Sequence, residues 1–240
     1  MTRNVYSTDS YAREVAATVV EVDDVDRRVL LDTTVFYPGG GGQPHDTGTL
    51  WVGDDAIQVD RVTSDRGDVW HWIAGDLPAV GTPVRAQLDW DRRYTLMRTH
   101  TAMHAMCGVV WERYQSPVTG GNMKEGEGRL DFELPDWDSA HKFPMEEELN
   151  RQLAKALEVT VSFLPRDEAD ADPSLIRTKV SLLPKDLTEV RVIDIVGLDR
   201  QADGGTHVHR TDEVGRVEIT KVESKGKAFR RIRFELLEKK

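Results

Sequence analysis

Over the first ninety residues the apolar positions come in short β-branched runs, each closed by a cluster of turn formers. Runs at 16–22 and 29–36 flank the acidic turn Asp23-Asp24-Val25-Asp26, and others follow at 48–52, 56–63, 69–74 and 84–89. Gly53-Asp54-Asp55, Ser64-Asp65-Arg66-Gly67-Asp68 and Gly75-Asp76-Leu77-Pro78 separate them. Strands at this spacing predict a small β-barrel. The pattern changes near Trp90. Residues 94–114 hold no Pro and one Gly, Gly108, and Leu96, Met97, Thr101, His104, Val109 and Trp111 recur on a helical period. A second helix is predicted over 145–157, where Met145, Leu149, Leu153 and Leu157 repeat every four residues behind Pro144. Strands return at 160–164, 189–196, 207–209, 215–222 and 229–236. The expected fold class is α+β: an N-terminal small β-barrel over 1–90, then an α+β domain with a mainly antiparallel sheet over 91–240.

Composition narrows the setting. The chain has 240 residues, 39% hydrophobic and 31% charged, enough for one large core or two small ones. No window approaches the roughly 18 consecutive apolar residues of a membrane helix, and the N-terminus lacks the apolar core of a signal peptide. The single cysteine, Cys107, allows no internal disulfide. The expectation is a cytoplasmic protein with no membrane partner. A net charge of −10, taken alone, argues against a polyanionic partner, and no DNA partner is expected. The C-terminus differs locally: Lys221, Lys225, Lys227, Arg230, Arg231, Arg233, Lys239 and Lys240 outnumber Glu223, Glu235 and Glu238. That strip is compatible with RNA, though composition alone favours a solvated terminal strand.

Three segments carry candidate chemistry. In His100-Thr101-Ala102-Met103-His104 two histidines four apart lie on one helix face, about 6 Å apart along the axis, a spacing that lets both imidazoles share one zinc ion. The alternative is two helix histidines with unrelated partners. Cys107, about 10 Å along the axis from His100, reads as a small buried apolar residue. In Asp203-Gly204-Gly205-Thr206-His207-Val208-His209 a Gly-Gly turn can bring Asp203 and His207 to one point, and both are good zinc ligands. His209, sharing a strand face with His207, is a spare ligand, an outer group or simply exposed. In Thr34-Val35-Phe36-Tyr37-Pro38-Gly39-Gly40-Gly41-Gly42-Gln43-Pro44-His45-Asp46 four glycines leave room for close approach by a ligand, with Thr34 and Gln43 as flanking hydrogen-bonding groups. A flexible turn is the bland alternative, and no Gly-Lys-Ser/Thr follows to make a phosphate loop.

Taken together these segments resemble the editing domain of alanyl-tRNA synthetases and its freestanding AlaX relatives. The resemblance rests on Thr34, Phe36, Tyr37, Pro38, Gly41, Gly42, Gln43, Pro44, Asp46 and Gly48. It continues through Arg98 to His104, through Asp203 to His207, and through Thr211, Glu213, Val214 and Gly215, with Lys221, Lys225, Gly226, Arg230 and Arg231 closing it. It covers about residues 15 to 235 and points to the medium-length form. One position departs: the family's cysteine ligand is Asp203 here, a harder donor that would hold zinc less tightly.

The resemblance implies a hydrolase that deacylates, in trans, alanine tRNA carrying Ser or Gly, with one Zn2+ per chain held by His100, His104, His207 and Asp203. Zinc would acidify the attacking water or polarise the ester carbonyl, and Asp203 would ligate it or act on the water as general base. Thr34 and Gln43 would meet the serine hydroxyl. Gly39, Gly40, Gly41, Gly42 and Thr206 would line the substrate path, and Lys225, Arg230 and Arg231 would meet tRNA phosphates. The rivals are a threonyl-type editing domain and a non-catalytic, metal-stabilised RNA-binding module.

Overall fold

The computed structural model describes residues 2–172, Leu175 and 188–237; Glu238, Lys239 and Lys240 of the terminal strip lie outside the described residues. The chain divides into two compact units, Met1–Thr95 and Leu96–Lys240. Among the described residues no helix is long and apolar enough to cross a membrane.

The N-terminal unit holds β1 (Arg3–Asn4), β2 (Glu14–Asp23), β3 (Arg28–Leu31), β4 (Thr33–Thr34), β5 (Gly48–Val52), β6 (Asp55–Asp65), β7 (Asp68–Ile73) and β8 (Pro83–Leu88). Six of them close into an antiparallel barrel in the order β2-β3-β7-β6-β5-β8, while β1 pairs parallel with β4. Val19, Leu31, Leu50, Val59, Val62 and Val69 fill its interior with no exposed surface. Strict alternation would turn Val62 outward when Val59 points in. A bulge between Val59 and Arg61 restores it to the core.

The run expected as one strand over 29–36 breaks after Leu31, and Val35, Phe36 and Tyr37 are buried without strand pairing. Side chains take over their backbone groups. The Phe36 N–H donates to Thr34 Oγ1 at 3.1 Å, the Tyr37 N–H to Asp46 Oδ2 at 2.6 Å, and Arg93 Nη2 donates to the Val35 carbonyl at 2.7 Å. With donors and acceptors satisfied this way, no neighbouring strand is required.

Helix α1 (Trp90–Tyr114) starts four residues before the expected position, because Asp89 caps it through the Arg92 N–H at 3.2 Å. In the C-terminal unit it is followed by β9 (Val118–Lys124), β10 (Glu127–Glu133), α2 (Lys142–Leu153), β11 (Val159–Pro165), α3 (Arg166–Ala171), β12 (Glu189–Ile195), β13 (Asp199–Ala202), β14 (Val217–Ser224) and β15 (Phe229–Leu236). These strands form two antiparallel sheets, β14-β15-β10-β9 and β11-β12-β13. The α+β class with mainly antiparallel sheets is thus the observed one.

From Thr99 to Val110 helix α1 is buried on every side. It touches both sheets: the Met103 methyl faces Gly121 of β9, and Gly108 faces Leu198 at the start of β13. A Cβ at Gly108 would stand 2.6 Å from the Leu198 carbonyl oxygen, so this glycine is what allows the helix so close. Helix α2 starts earlier and ends earlier than its apolar repeat suggested. Pro144 is its third residue, and Ala156 at φ 56° stops it before Leu157. Thr211 then serves the frayed end, donating to the Leu153 carbonyl and accepting from the Leu157 N–H, each at 2.9 Å.

Candidate metal centre

Four side chains of the C-terminal unit converge. His100 and His104 come from adjacent turns of α1, Asp203 and His207 from the segment after β13, and one donor atom of each lies within 4.8 Å of all the others. Asp203 Oδ2 is 3.2 Å from His207 Nε2, and Asp203 Oδ1 is 3.7 Å from His100 Nε2. The three rings lie with centroids 4.3 to 5.1 Å apart.

Each imidazole is held from behind. His207 Nδ1 lies 3.1 Å from Thr101 Oγ1, and His104 Nδ1 lies 3.2 Å from Asp199 Oδ2. His100 bonds the Thr206 backbone. A ring whose Nδ1 is bound this way presents Nε2 as the free donor, the arrangement that fixes tautomer and orientation in metal-ligating histidines. Asp199 is in turn fixed by Gln201 Nε2 at 2.6 Å.

The Asp203 loop is equally constrained. Its carboxylate accepts the Gly205 N–H at 2.7 Å, so the Gly-Gly segment is turned by Asp203 itself. Arg191 Nη1 donates to the carbonyls of Asp203 and Gly205 at 2.9 and 2.8 Å. Residues 207–209, expected as a strand, are irregular. The Val208 N–H goes to Thr101 Oγ1 at 3.3 Å and the His209 N–H to Glu213 Oε1 at 3.1 Å, so side chains replace a ladder. His207 consequently points inward while His209 is exposed and outside the cluster. Cys107 is buried and also outside it.

Burial sets the charge state. It pushes His100 down to about 4 and His207 well below the usual imidazole value. At His104 burial acts the same way, but the Asp199 hydrogen bond and the charges of Asp203 and Asp199 outweigh it and raise the pKa. Asp203 is held well below the usual carboxylate range, because the surrounding histidines outweigh its own desolvation. Three imidazole nitrogens around one carboxylate, with His100 and His207 held neutral, are the donor set a borderline divalent cation takes, and the four residues fit one.

Thr206 is fully buried beside the cluster. Thr34 and Gln43 are buried in the N-terminal unit. Thr34 Oγ1 lies 2.8 Å from His71 Nε2. Gly39, Gly40, Gly41 and Gly42 have φ of 84°, 137°, 57° and 93°, a run that only glycine adopts without strain. Gly40 and Gln43 exchange backbone hydrogen bonds at 3.0 and 2.9 Å, and Tyr37 Oη donates to the Gly40 carbonyl, so the loop is a tied turn. Asp46 anchors it through a buried pair with Arg93, whose Nε lies 3.0 Å from Asp46 Oδ1.

On the sheet β14-β15-β10-β9, Arg231 is bidentate to Asp131 at 2.7 Å and Arg233 pairs with Glu223 at 3.1 Å. Lys221 also meets Glu223, at 2.8 Å, and Arg129 meets Asp131 at 3.3 Å. Arg230 spends its guanidinium on the Trp137 and Phe229 carbonyls, while Lys225 is exposed in the β14–β15 turn. Asp199, Gln201, Arg191 and His71 carry no local signal in the sequence. Only Thr101 had a signal, sitting between the two helix histidines.

Comparison with known proteins gives the family. A family model described as "Threonyl and Alanyl tRNA synthetase second additional domain" matches residues 190–233, and one described as "tRNA synthetases class II (A)" matches residues 6–92. The chain is 36% identical to the alanyl-tRNA editing protein AlaX-M of Methanosarcina barkeri, covering 99% of this chain and 100% of the relative. It is also 36% identical to AlaX-M of Saccharolobus solfataricus, over 97% of this chain and 98% of that one. Against the longer AlaX-L of Pyrococcus horikoshii the identity is 34%, over 98% of this chain and 58% of the relative. With this identity over the full length, the chain belongs to the alanyl-tRNA editing proteins of the AlaX-M form.

Proposed function

We propose that this protein is a zinc-dependent deacylase that removes serine or glycine from wrongly charged alanine tRNA in the cytoplasm. The observation that carries the reading is the cluster of three back-bonded histidines and one carboxylate. His100, His104, His207 and Asp203 would hold one zinc ion. Bound there, zinc supplies Lewis-acid polarisation of the ester and a more acidic water. Structural zinc sites are usually rich in cysteine, and this donor set has none, which favours catalysis over a purely structural metal.

Hydrolysis joins the water oxygen to the aminoacyl carbonyl carbon and breaks the bond to the ribose oxygen of the terminal adenosine. That oxygen leaves with a proton. Asp203, kept ionised by its surroundings, would take a proton from the water if it is not itself a ligand. Thr34 reads the serine hydroxyl, which alanine lacks; a site built around a buried polar group disfavours the analogue that leaves it unpaired. The tied turn at Gly39 to Gly42, with Gln43, receives the tRNA end. Lys225 meets phosphate, with Arg230 and Arg231 contributing charge from their intramolecular bonds.

Release of serine, glycine and alanine from charged alanine tRNA tests this, with protein stripped of metal and then reloaded. Serine release that disappears on stripping and returns with zinc is expected. Tight tRNA binding with no release by the zinc-loaded protein would instead establish a binding module. Equal release from threonine tRNA charged with serine would favour the threonyl-type rival.

A further inference from the structure

His71 lies inside the barrel with no exposed surface and takes no part in the metal cluster. The Phe36 ring meets it edge-on at 5.3 Å. Its Nδ1 is 3.4 Å from the Val29 carbonyl oxygen and its Nε2 is 2.8 Å from Thr34 Oγ1. A carbonyl oxygen carries no proton, so Nδ1 must be the protonated nitrogen. In a neutral ring Nε2 is then an acceptor, and the proton between it and Thr34 belongs to the threonine. Burial keeps the ring neutral, pushing its pKa down to about 4. The Thr34 oxygen also accepts the Phe36 N–H at 3.1 Å. A hydroxyl has one proton and two lone pairs. Here the proton and one lone pair are committed, and one lone pair is left.

We propose that His71 is a positioning residue for selectivity: by taking the Thr34 proton it leaves Thr34 able only to accept, so this protein favours aminoacyl side chains that donate a hydrogen bond. Serine satisfies that condition, alanine does not, and glycine offers no side chain at all. Serine is therefore removed faster than glycine. The inference rests on the reading of Thr34 as the group that meets the aminoacyl side chain.

The test is the ratio of kcat/KM for serine over alanine release in zinc-loaded protein, measured for Thr34→Val, His71→Phe, the double variant and His71→Gln. Loss of one neutral hydrogen bond predicts a ratio about two- to tenfold lower in Thr34→Val. His71→Phe keeps an aromatic ring against Phe36 but removes the acceptor, and should lower the ratio by a similar factor. If His71 acts through Thr34, the double variant falls no further than Thr34→Val alone. His71→Gln, whose amide oxygen can take the same proton, should restore most of the ratio. A merely structural histidine would lower both rates together and leave the ratio unchanged, which overturns the proposal, as does a double variant whose loss is the product of the single losses. An unchanged ratio in Thr34→Val overturns the underlying reading as well, whereas a fall there with none in His71→Phe overturns this inference alone. Should His71→Phe not fold, His71→Asn replaces it. Asparagine is too short to reach Thr34, so equal ratios in the Asn and Gln variants count against the proposal.

Discussion

Asp199 touches no donor position directly, yet its removal should weaken metal binding. Its Oδ2 sits 3.2 Å from His104 Nδ1 and accepts Gln201 Nε2 at 2.6 Å, and the carboxylate side chain is fully buried. Asp199→Asn preserves shape and one oxygen acceptor but removes the charge. A charge-assisted hydrogen bond is roughly twice as strong as a neutral one, and losing a partner of a metal-ligating histidine typically costs 10- to 100-fold in affinity. Because asparagine can still accept from Nδ1, the expected loss is near the lower end, about tenfold or roughly 1.4 kcal/mol. Asp199→Ala leaves His104 with no acceptor and should approach ~100-fold. A second effect has the opposite sign. Asp199 raises the His104 pKa in the metal-free protein, so its removal lessens proton competition at low pH. Measured on the alkaline side of the raised His104 pKa, where proton competition is gone, the loss of orientation and basicity dominates. Zinc affinity by competition with a chromophoric chelator reads it directly. If Asp199→Asn binds zinc within twofold of wild type while His104→Ala releases it, Asp199 does not support His104 as a ligand.

Three further outcomes are expected. His104→Ala should purify with little zinc by elemental analysis, whereas Asp203→Cys should keep it or bind more tightly, since thiolate is the softer donor. Arg93→Met should destabilise the N-terminal unit by about 3–5 kcal/mol in urea titration, because it strands the Asp46 charge in a fully buried site; a loss below about 1 kcal/mol would mean Asp46 finds another partner. His71 has a folded pKa of about 4 against an ordinary 6.5, so between those values the unfolded chain binds the extra proton. Its stabilisation is whole above about pH 6.5 and falls by up to about 3 kcal/mol as pH drops towards 4. Tryptophan-monitored unfolding should show a shallower decline in His71→Gln, and equal pH slopes would show that His71 is not buried as the neutral ring.

What the sequence made legible was whatever depends on local spacing. The barrel strands follow from period-two runs and their turns, and 48–52 and 229–236 fall on the observed strands. His100 and His104 are legible because the α-helical repeat alone puts them on one face. Asp203 and His207 join them through a turn that Asp203 itself makes. Asp199 escaped because its meaning depends on β13 being brought beside α1, 95 residues away in sequence. Its neighbourhood looks like any strand start. Strands β9 and β10 escaped because Gly120, Gly121 and Gly128 thin their apolar pattern. His71 sits in an ordinary alternating strand between Trp70 and Trp72, and only the hydrogen bonds across the barrel give it a role. The strand expected at 207–209 failed because side chains from α1 and Glu213 claim its amides, a competition that local propensity does not encode.

The matched charges on the β14-β15-β10 face bear on how the protein holds and lets go of a nucleic acid. Affinity for a polyanion depends on salt through the counterions that each protein cation expels, with a slope of about 0.7–0.9 per phosphate neutralised. Cations already matched to Asp131 and Glu223 expel few. Among the described residues of the strip, Lys225 and Lys227 at the exposed turn and Arg230, whose guanidinium meets carbonyls, remain to do so, for a slope of about two to three. Association of tRNA through this face would therefore survive ionic strengths that strip a conventionally basic RNA-binding surface, and retention would rest on the aminoacyl end. Once that ester is cut, little electrostatic attraction is left to delay departure of the corrected tRNA.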